Sequence, residues 1–202
     1  MIGFEKSGDL WTITLDRPEK ANSLTSEMLT ELVARVTEAR SAKCLVLTGN
    51  GKVFSAGADL DEARAGLATS PLWEQLSSAV AALDCLTITA LNGTLAGGAC
   101  GMALASDLRI SVPTAKVFYP VMRLGFLPQS SDVKRLTRLV GPARAKLILM
   151  GGIKVGAQEA LGMGLVDRVT DDLWASVEEI AEAALGAAPD HIAAIKAMIN
   201  AA

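Results

Sequence analysis

Three short and almost wholly apolar runs limit what this chain can fold into. They are residues 44–48 (CLVLT), 86–91 (LTITAL) and 108–112 (LRISV), and segments with turn residues or helical spacing lie between them. Such runs are typical of strands that are covered on both faces, as in a parallel sheet flanked by helices. The sequence therefore predicts an α/β fold.

Other segments predict the connections. Residues 11–15 (WTITL) alternate in polarity, as a half-buried strand does. Thr25 can cap a helix whose apolar side chains recur at helical spacing. Further along, Asp132 can cap a helix that Gly141 ends, and Pro142 suits the first turn of the next helix.

The length of the chain fits one core with a helical extension. With 202 residues, the chain can bury a sizeable core. We predict a core domain over residues 1–172 and a C-terminal helical tail over residues 173–202, interrupted at Gly186 and at residues 189–190. The sequence contains no linker or low-complexity stretch.

Composition narrows the classes of partner. The formal net charge is -3 and the 19 Lys and Arg residues are scattered, so we expect neither nucleic-acid nor membrane binding. Half of the residues are hydrophobic, which suggests that the chain also buries surface against copies of itself. No apolar run resembles a signal peptide or a membrane span. The three cysteines lack the CxxC spacing of a zinc or redox site, and they are typical of a cytoplasmic protein.

Residues 92–101 (NGTLAGGACG) contain four glycines in ten positions. Two interpretations are open: small residues allow a helix to pack closely on a sheet, or bare backbone N–H groups at a helix start bind developing negative charge, as in an oxyanion hole. A nucleotide loop is excluded, because neither GxxxxGK[ST] nor GxGxxG is present.

A second small-residue segment favours the oxyanion hole. Residues 52–60 (KVFSAGADL) follow the strand over residues 44–48. Together with the glycine segment and with DRPEKANSL (16–24), ASDLR (105–109) and RLVGPARA (138–145), the sequence resembles the crotonase superfamily of enoyl-CoA hydratases and isomerases as far as about residue 200. The resemblance implies a ClpP/crotonase-like fold of repeated ββα units, with packed sheets, surrounding helices and a helical tail that is shorter here than usual.

The resemblance also implies the site and its ligand. Family members bind acyl-CoA thioesters and use no permanently bound cofactor or metal, and they assemble as homotrimers or hexamers. Two backbone N–H groups stabilise an enolate-like oxyanion, and by position these belong to Ala58 and Gly98, where the absence of a side chain would let the thioester come close. The positions that correspond to contacts with coenzyme A are Lys20, Ala21, Ala56, Asp59 and Leu60.

The acid and base positions depart from the family pattern. Hydratases have two glutamates that add water across the double bond, and the corresponding positions here are Gly101 and Val121. Some isomerases have an aspartate at the position of Gln129. None of these three residues can transfer a proton as a carboxylate does, so we do not expect hydration by the usual two-carboxylate route.

Asp132 is the best remaining candidate for a base. If it points into an apolar pocket, burial raises its pKa toward neutral pH. The alternative, which the sequence alone favours, is that it caps the following helix. Isomerisation, hydration, decarboxylation and thioester hydrolysis therefore stay open, as does a non-catalytic member that only binds acyl-CoA or forms oligomers.

Overall fold

The computed structural model describes residues 1–201. The strands are β1 (Ile2–Ser7), β2 (Leu10–Leu15), β3 (Cys44–Gly49), β4 (Val53–Ser55), β5 (Leu86–Leu91), β6 (Thr94–Ala96), β7 (Leu108–Ser111), β8 (Lys116–Phe118), β9 (Val155–Gly156) and β10 (Arg168–Val169). The α-helices are α1 (Ser26–Glu38), α2 (Leu60–Arg64), α3 (Leu72–Ala81), α4 (Cys100–Ala105), α5 (Val121–Leu124), α6 (Ser130–Leu149), α7 (Ala157–Met163), α8 (Leu173–Gly186) and α9 (Pro189–Asn200). Short 3₁₀ turns cover Pro18–Lys20, Ala39–Ser41, Leu67–Thr69 and Gly97–Ala99.

The strands form two sheets. The larger has the order β1-β2-β3-β5-β7-β10 and is parallel except for the β1–β2 pair. The smaller has the order β4-β6-β8-β9, with β9 antiparallel at its edge. The pairs β3–β4, β5–β6 and β7–β8 each place one strand in each sheet before the chain turns into helix. These are the repeated ββα units of the predicted crotonase fold.

The large sheet is covered on both faces, as the apolar runs predict. In β3, Leu45 and Leu47 belong to the main core, while Cys44 and Val46 belong to a second cluster with Val177 of α8. Successive side chains of a strand point to opposite faces, so this alternation places helices on each side. Helix α8 therefore packs on the sheet, whereas α9 contains no fully buried residue.

Most of the predicted elements are confirmed. The Thr25 hydroxyl accepts a hydrogen bond from the Met28 N–H at 3.2 Å and caps α1, and α6 bends at Gly141, where φ is 77°. The short strands of the smaller sheet were not predicted, because runs of three residues have too little periodicity to be recognised. The division at residue 172 stays a prediction, and residue 202 of the predicted tail lies outside the described residues.

The prediction that Asp132 caps α6 is wrong. The last non-helical residue is Gln129, whose backbone is extended (φ -60°, ψ 142°), and helical geometry begins at Ser130. Asp132 therefore lies inside the first turn, and its side chain points into the protein.

No helix within residues 1–201 has both the length and the apolar content that a bilayer crossing requires.

Candidate active site

The first loop of the candidate site follows β4, at residues 56–58. Gly57 has a φ of 91°, a conformation that side chains with a Cβ rarely adopt. A Cβ at this position would lie 2.9 Å from the carbonyl oxygen of Ala96 and 3.4 Å from the Cα of Gly97. Glycine is therefore required here, because the loop after β4 passes directly against the loop after β6.

Ala58 forms an isolated parallel bridge with Leu24. The Leu24 N–H donates to the Gly57 carbonyl and the Asp59 N–H donates to the Leu24 carbonyl, both at 2.8 Å. In a parallel pair, the residue between two such bonds directs its own N–H away from the partner strand. The N–H of the half-buried Ala58 is therefore free of this pairing.

Gly98 lies in the 3₁₀ turn that leads into α4. The first N–H groups of a helix have no acceptor within the helix, and Gly98 occupies such a position. A Cβ at Gly98 would lie 3.0 Å from the indole ring of Trp73. That ring is only 4% exposed, and its N–H donates to the Leu67 carbonyl at 2.8 Å. Gly98 therefore packs against the indole ring of Trp73, a contact that the sequence did not indicate.

Asp132 is held in the interior. It is 1% exposed, and the Tyr119 hydroxyl donates a hydrogen bond to its Oδ2 at 2.9 Å. Its Oδ1 has no hydrogen-bond partner among residues 1–201. A buried carboxylate oxygen without a hydrogen-bond partner destabilises the folded state. This arrangement therefore calls for a functional explanation.

The Asp132 carboxylate packs directly on Gly101 of α4. A Cβ at Gly101 would lie 2.9 Å from Oδ1 and 3.2 Å from Oδ2. The carboxylate therefore occupies the space in which a side chain of residue 101 would begin. Gly101 follows Gly98 by three residues, so the acid lies about one helical turn from the second loop.

Burial controls the proton affinity of this acid. Desolvation raises the pKa of the Asp132 carboxyl to about 6, while the hydrogen bond from Tyr119 and the charge of Arg135 act in the opposite direction. The negative charge of Glu74 adds to the rise. A carboxyl with a pKa in this range can take up and release protons near neutral pH.

Sequence comparison assigns the chain to a family. The family model described as "Enoyl-CoA hydratase/isomerase" matches residues 5–202. The putative enoyl-CoA hydratase/isomerase YngF of Bacillus subtilis is 38% identical over 207 residues, which cover 96% of this chain and 79% of that protein. The chain belongs to the enoyl-CoA hydratase/isomerase family. A second relative is the carnitinyl-CoA dehydratase of Citrobacter koseri. It is 36% identical over an alignment that covers 99% of this chain and 80% of that protein.

Solved structures of other proteins share the fold. An enoyl-CoA hydratase from Bacillus anthracis superposes with a TM-score of 0.90 at 32% identity, over 98% of this chain and 82% of that one. DspI of Pseudomonas aeruginosa gives a TM-score of 0.90 at 30% identity, over 99% of this chain and 86% of that one. These superpositions agree with the two sheets and the ββα repeat described above.

The residues predicted to contact coenzyme A lie on two joined loops. Lys20 is exposed at the end of a 3₁₀ turn, and Ala21 and Asn22 both have a φ of 51°, in the left-handed region. The Ala56 N–H donates to the Ala21 carbonyl at 2.9 Å, so the first loop and the Lys20 turn are tied together. Leu60, the first residue of α2, is 70% exposed.

Asp59 has a role within the protein. Its Oδ2 accepts a hydrogen bond from Arg17 Nη1 at 2.9 Å, and its Oδ1 accepts from the Asp61 N–H at 3.1 Å, which caps α2. The hydrogen bond from Arg17 lowers the pKa of the Asp59 carboxyl. Both oxygens are thus engaged, and a contact with coenzyme A stays a prediction for this residue.

A large cavity lies away from these loops. A groove of about 1030 Å³ runs between α6, the last two helices and the large sheet, and Leu139, His191 and Lys196 are among the residues that line it. Among residues 1–201, none of those predicted for the acyl-CoA site lines this groove. No group of three or more His, Cys, Asp or Glu side chains in the described part of the chain could hold a metal ion.

Sequence reasoning missed the side chains that complete the site. Trp73 is 25 positions from the glycine it packs on, and Tyr119 is 13 positions from Asp132. Tyr119 is the only tyrosine, and the sequence indicates that it could donate a hydrogen bond, although a core or pocket-wall position is favoured and Asp132 is not indicated as the acceptor. Such contacts depend on how distant elements pack, so no local motif could have revealed them.

Proposed function

We propose that the chain acts on acyl-CoA thioesters, with the N–H groups of Ala58 and Gly98 as an oxyanion hole and Asp132 as the acid and base. The observation that carries this proposal is the contact between the Asp132 carboxylate and Gly101. If Gly101 stands where hydratases of this family have a glutamate, as the resemblance implies, the contact would supply an acid beside that position. The family acts on coenzyme A thioesters, so this is the substrate class the site would receive.

The two loops would polarise the thioester. Gly57 brings the loop that contains Ala58 against the loop that contains Gly98, and neither donor belongs to a regular backbone ladder. An oxygen that accepts from both N–H groups would be stabilised as negative charge develops on it. Removal of one such donor typically costs about 3 kcal/mol of transition-state stabilisation.

Asp132 would transfer the proton. Its Oδ1 is buried and lacks a hydrogen-bond partner within residues 1–201, so its lone pairs are not committed to another protein group, and an acyl chain that reached the Gly101 side of the carboxylate would meet this atom. In the forward step, the proton on the α carbon moves to Oδ1 and the C–H electron pair becomes part of the enolate. The same oxygen then returns the proton to the α carbon or to another carbon of the acyl chain.

One carboxylate favours certain reactions over others. Val121 occupies the position of the second glutamate of hydratases, and it cannot activate water. A single acid that takes and returns a proton suits isomerisation, and protonation of an enolate after loss of carbon dioxide needs no second base. We therefore place these reactions before two-carboxylate hydration.

The proposal is tested by deuterium exchange at the α carbon of acyl-CoA substrates in heavy water, followed by mass spectrometry. We expect exchange with the wild type and a loss of about 10²-fold or more in Asp132→Asn. The exposed Asp190→Asn variant is the matched control and should exchange at the wild-type rate. Unchanged exchange in Asp132→Asn would rule out this residue as the base.

A relocation experiment tests the contact itself. The double variant Gly101→Glu, Asp132→Gly would return the acid to α4 and remove the carboxylate that now fills the space. Partial recovery of exchange relative to Asp132→Gly alone would support the proposal that position 132 replaces position 101. Absence of recovery in a folded double variant would contradict it.

The second candidate is a non-catalytic member that binds acyl-CoA. It is favoured by the loss of both glutamates at Gly101 and Val121. It predicts tight binding of acyl-CoA with no exchange for any substrate. The same exchange measurement, combined with calorimetric binding, separates it from the catalytic proposal.

We also propose a homotrimeric or hexameric assembly in the cytoplasm. Support for the assembly comes from large apolar side chains that are solvent-exposed in one chain, in and after α5: Met122 at 64%, Leu124 at 52% and Leu127 at 88%. Burial of such residues against another copy would be favourable. Light scattering of the purified protein measures the number of subunits.

A further inference from the structure

Tyr119 has one side-chain contact that bears on the site. It follows β8, is 6% exposed, and its hydroxyl donates to Asp132 Oδ2 at 2.9 Å. The ring belongs to the same core cluster as Cys100 and Leu136. A buried hydroxyl held by packing donates in a fixed direction, so it also fixes the rotamer of the carboxylate that accepts.

The geometry separates the two oxygens of Asp132. Oδ2 accepts from Tyr119, whereas Oδ1 has no partner among residues 1–201 and lies on the Gly101 side, 2.9 Å from where a Cβ would be. Rotation of the carboxylate would exchange these two environments. Because a half-turn only interchanges two equivalent oxygens, the hydrogen bond from Tyr119 fixes the orientation of the carboxylate, with one oxygen engaged and the other on the Gly101 side.

We propose that Tyr119 is a positioning residue, which holds Oδ2 of Asp132 so that Oδ1 is the atom presented to the acyl chain. This inference rests on the proposed function, because it assumes that Asp132 transfers the proton. It adds a residue that no family position indicated, and it assigns separate roles to the two carboxylate oxygens.

Several titratable groups lie near the carboxylate: Tyr119 after β8, Cys100 on α4, Glu74 on α3 and Arg135 on α6. Of these, Tyr119, Arg135 and Glu74 shift the pKa of Asp132. Among the influences that lower the pKa of Asp132, the hydrogen bond from Tyr119 is the largest. Loss of the hydroxyl should therefore raise the pKa of Asp132 further above its ordinary value.

The test is Tyr119→Phe, which keeps the ring and removes the hydroxyl. We expect kcat for α-carbon exchange to fall about tenfold with KM nearly unchanged, and the acidic limb of the kcat profile to move up by roughly half to one pH unit. Thr48→Val is the matched control, because Thr48 Oγ1 makes a buried hydrogen bond to the Ala90 carbonyl at 2.9 Å in the large sheet. The Thr48→Val variant should not change the pH profile of kcat.

A measurement without substrate separates this inference from the proposed function. Infrared difference spectroscopy of the carboxyl stretch, assigned with Asp132→Asn, should show that Asp132 titrates at higher pH in Tyr119→Phe than in the wild type. An unchanged titration and an unchanged kcat profile would overturn the inference. A shifted titration in a protein whose wild type exchanges no α proton would overturn the proposed function and leave the control of the carboxylate by Tyr119 in place.

A double-mutant cycle completes the test. In the Asp132→Asn background, Tyr119→Phe should have no further effect on exchange, because the residue acts only through Asp132. A further tenfold loss in that background would contradict a positioning role.

Discussion

The two parts of the candidate site are built in different ways. The proposed oxyanion loops would use the backbone N–H groups of Ala58 and Gly98, and short motifs in the sequence surround both positions. The proposed acid depends on three residues from different elements: Asp132 on α6, Tyr119 after β8 and Gly101 on α4. Gly101 has no side chain, which leaves room for the carboxylate. The first part is local and the second depends on tertiary packing.

This difference predicts how each part responds to change. Only proline removes a backbone N–H donor, so other substitutions disturb the loops when added volume displaces them. A side-chain acid is removed directly, and its proton affinity follows the polarity of its surroundings. Substitutions in the two parts should therefore affect different measured quantities.

The largest effect is expected at Gly98. In Gly98→Val the new side chain meets the Trp73 ring, which a Cβ alone would approach to 3.0 Å, and displacement of the donor should lower kcat by about 10² to 10³-fold. Kinetics on any active acyl-CoA substrate measure this. Gly156→Ala is the control, because a Cβ there would meet no atom of residues 1–201 within 4 Å.

A relief variant sharpens this prediction. If the collision with the indole causes the loss, Trp73→Leu should restore part of the activity of Gly98→Val. If close approach of the thioester causes it, the second substitution should restore nothing. Trp73→Leu alone provides the baseline.

The second prediction concerns stability against pH. Because the folded protein raises the pKa of Asp132 from 3.8 to about 6, folding favours the protonated acid, and ionisation of Asp132 should remove about 3 kcal/mol of stability as pH rises from 4 to above 6. Asp132→Asn lacks this titration. The free energy of unfolding of Asp132→Asn minus that of the wild type, measured in urea, should therefore increase between pH 4 and pH 8. A difference that does not change with pH would contradict a raised pKa of Asp132.

A smaller effect is expected from Gly101→Ala. The added methyl group would lie 2.9 Å from Oδ1 of Asp132, so the carboxylate must move, and we expect about a tenfold loss of exchange with 1–3 kcal/mol of destabilisation, on the order of other overpacked cores. In an Asp132→Gly background the same substitution should cost much less. An equal cost in both backgrounds would show that the carboxylate is not what Gly101 accommodates.

The smallest effect is expected at Lys20. If its ammonium group binds a phosphate of coenzyme A, Lys20→Ala should raise KM by about three- to tenfold and leave kcat unchanged. The adjacent exposed residue provides the control, Glu19→Ala, which should not raise KM. An unchanged KM in Lys20→Ala would remove this residue from the binding site.

The fold and the two loops could be predicted because each depends on a short stretch of sequence. Apolar runs such as residues 44–48 indicate buried strands, and glycines indicate close approach. The position of Asp132 could not be predicted, because an aspartate within the first turn of a helix has the same local pattern whether it caps the helix or enters the core. Asp132 can enter the core because Gly101, 31 positions away in the sequence, has no side chain and leaves space for the carboxylate.

Strands β4 and β6 are neighbours in the small sheet, and this bears on the distance between the two loops that follow them. Each of these two strands is followed by a loop with one of the two proposed donors, and the strands pair in parallel. Hydrogen-bonded strands lie about 4.8 Å apart, and two nitrogens with that spacing leave room for one oxygen about 2.9 Å from each. The pairing of β4 with β6 would thus set the separation of the two proposed donors through the backbone alone, independently of any side chain.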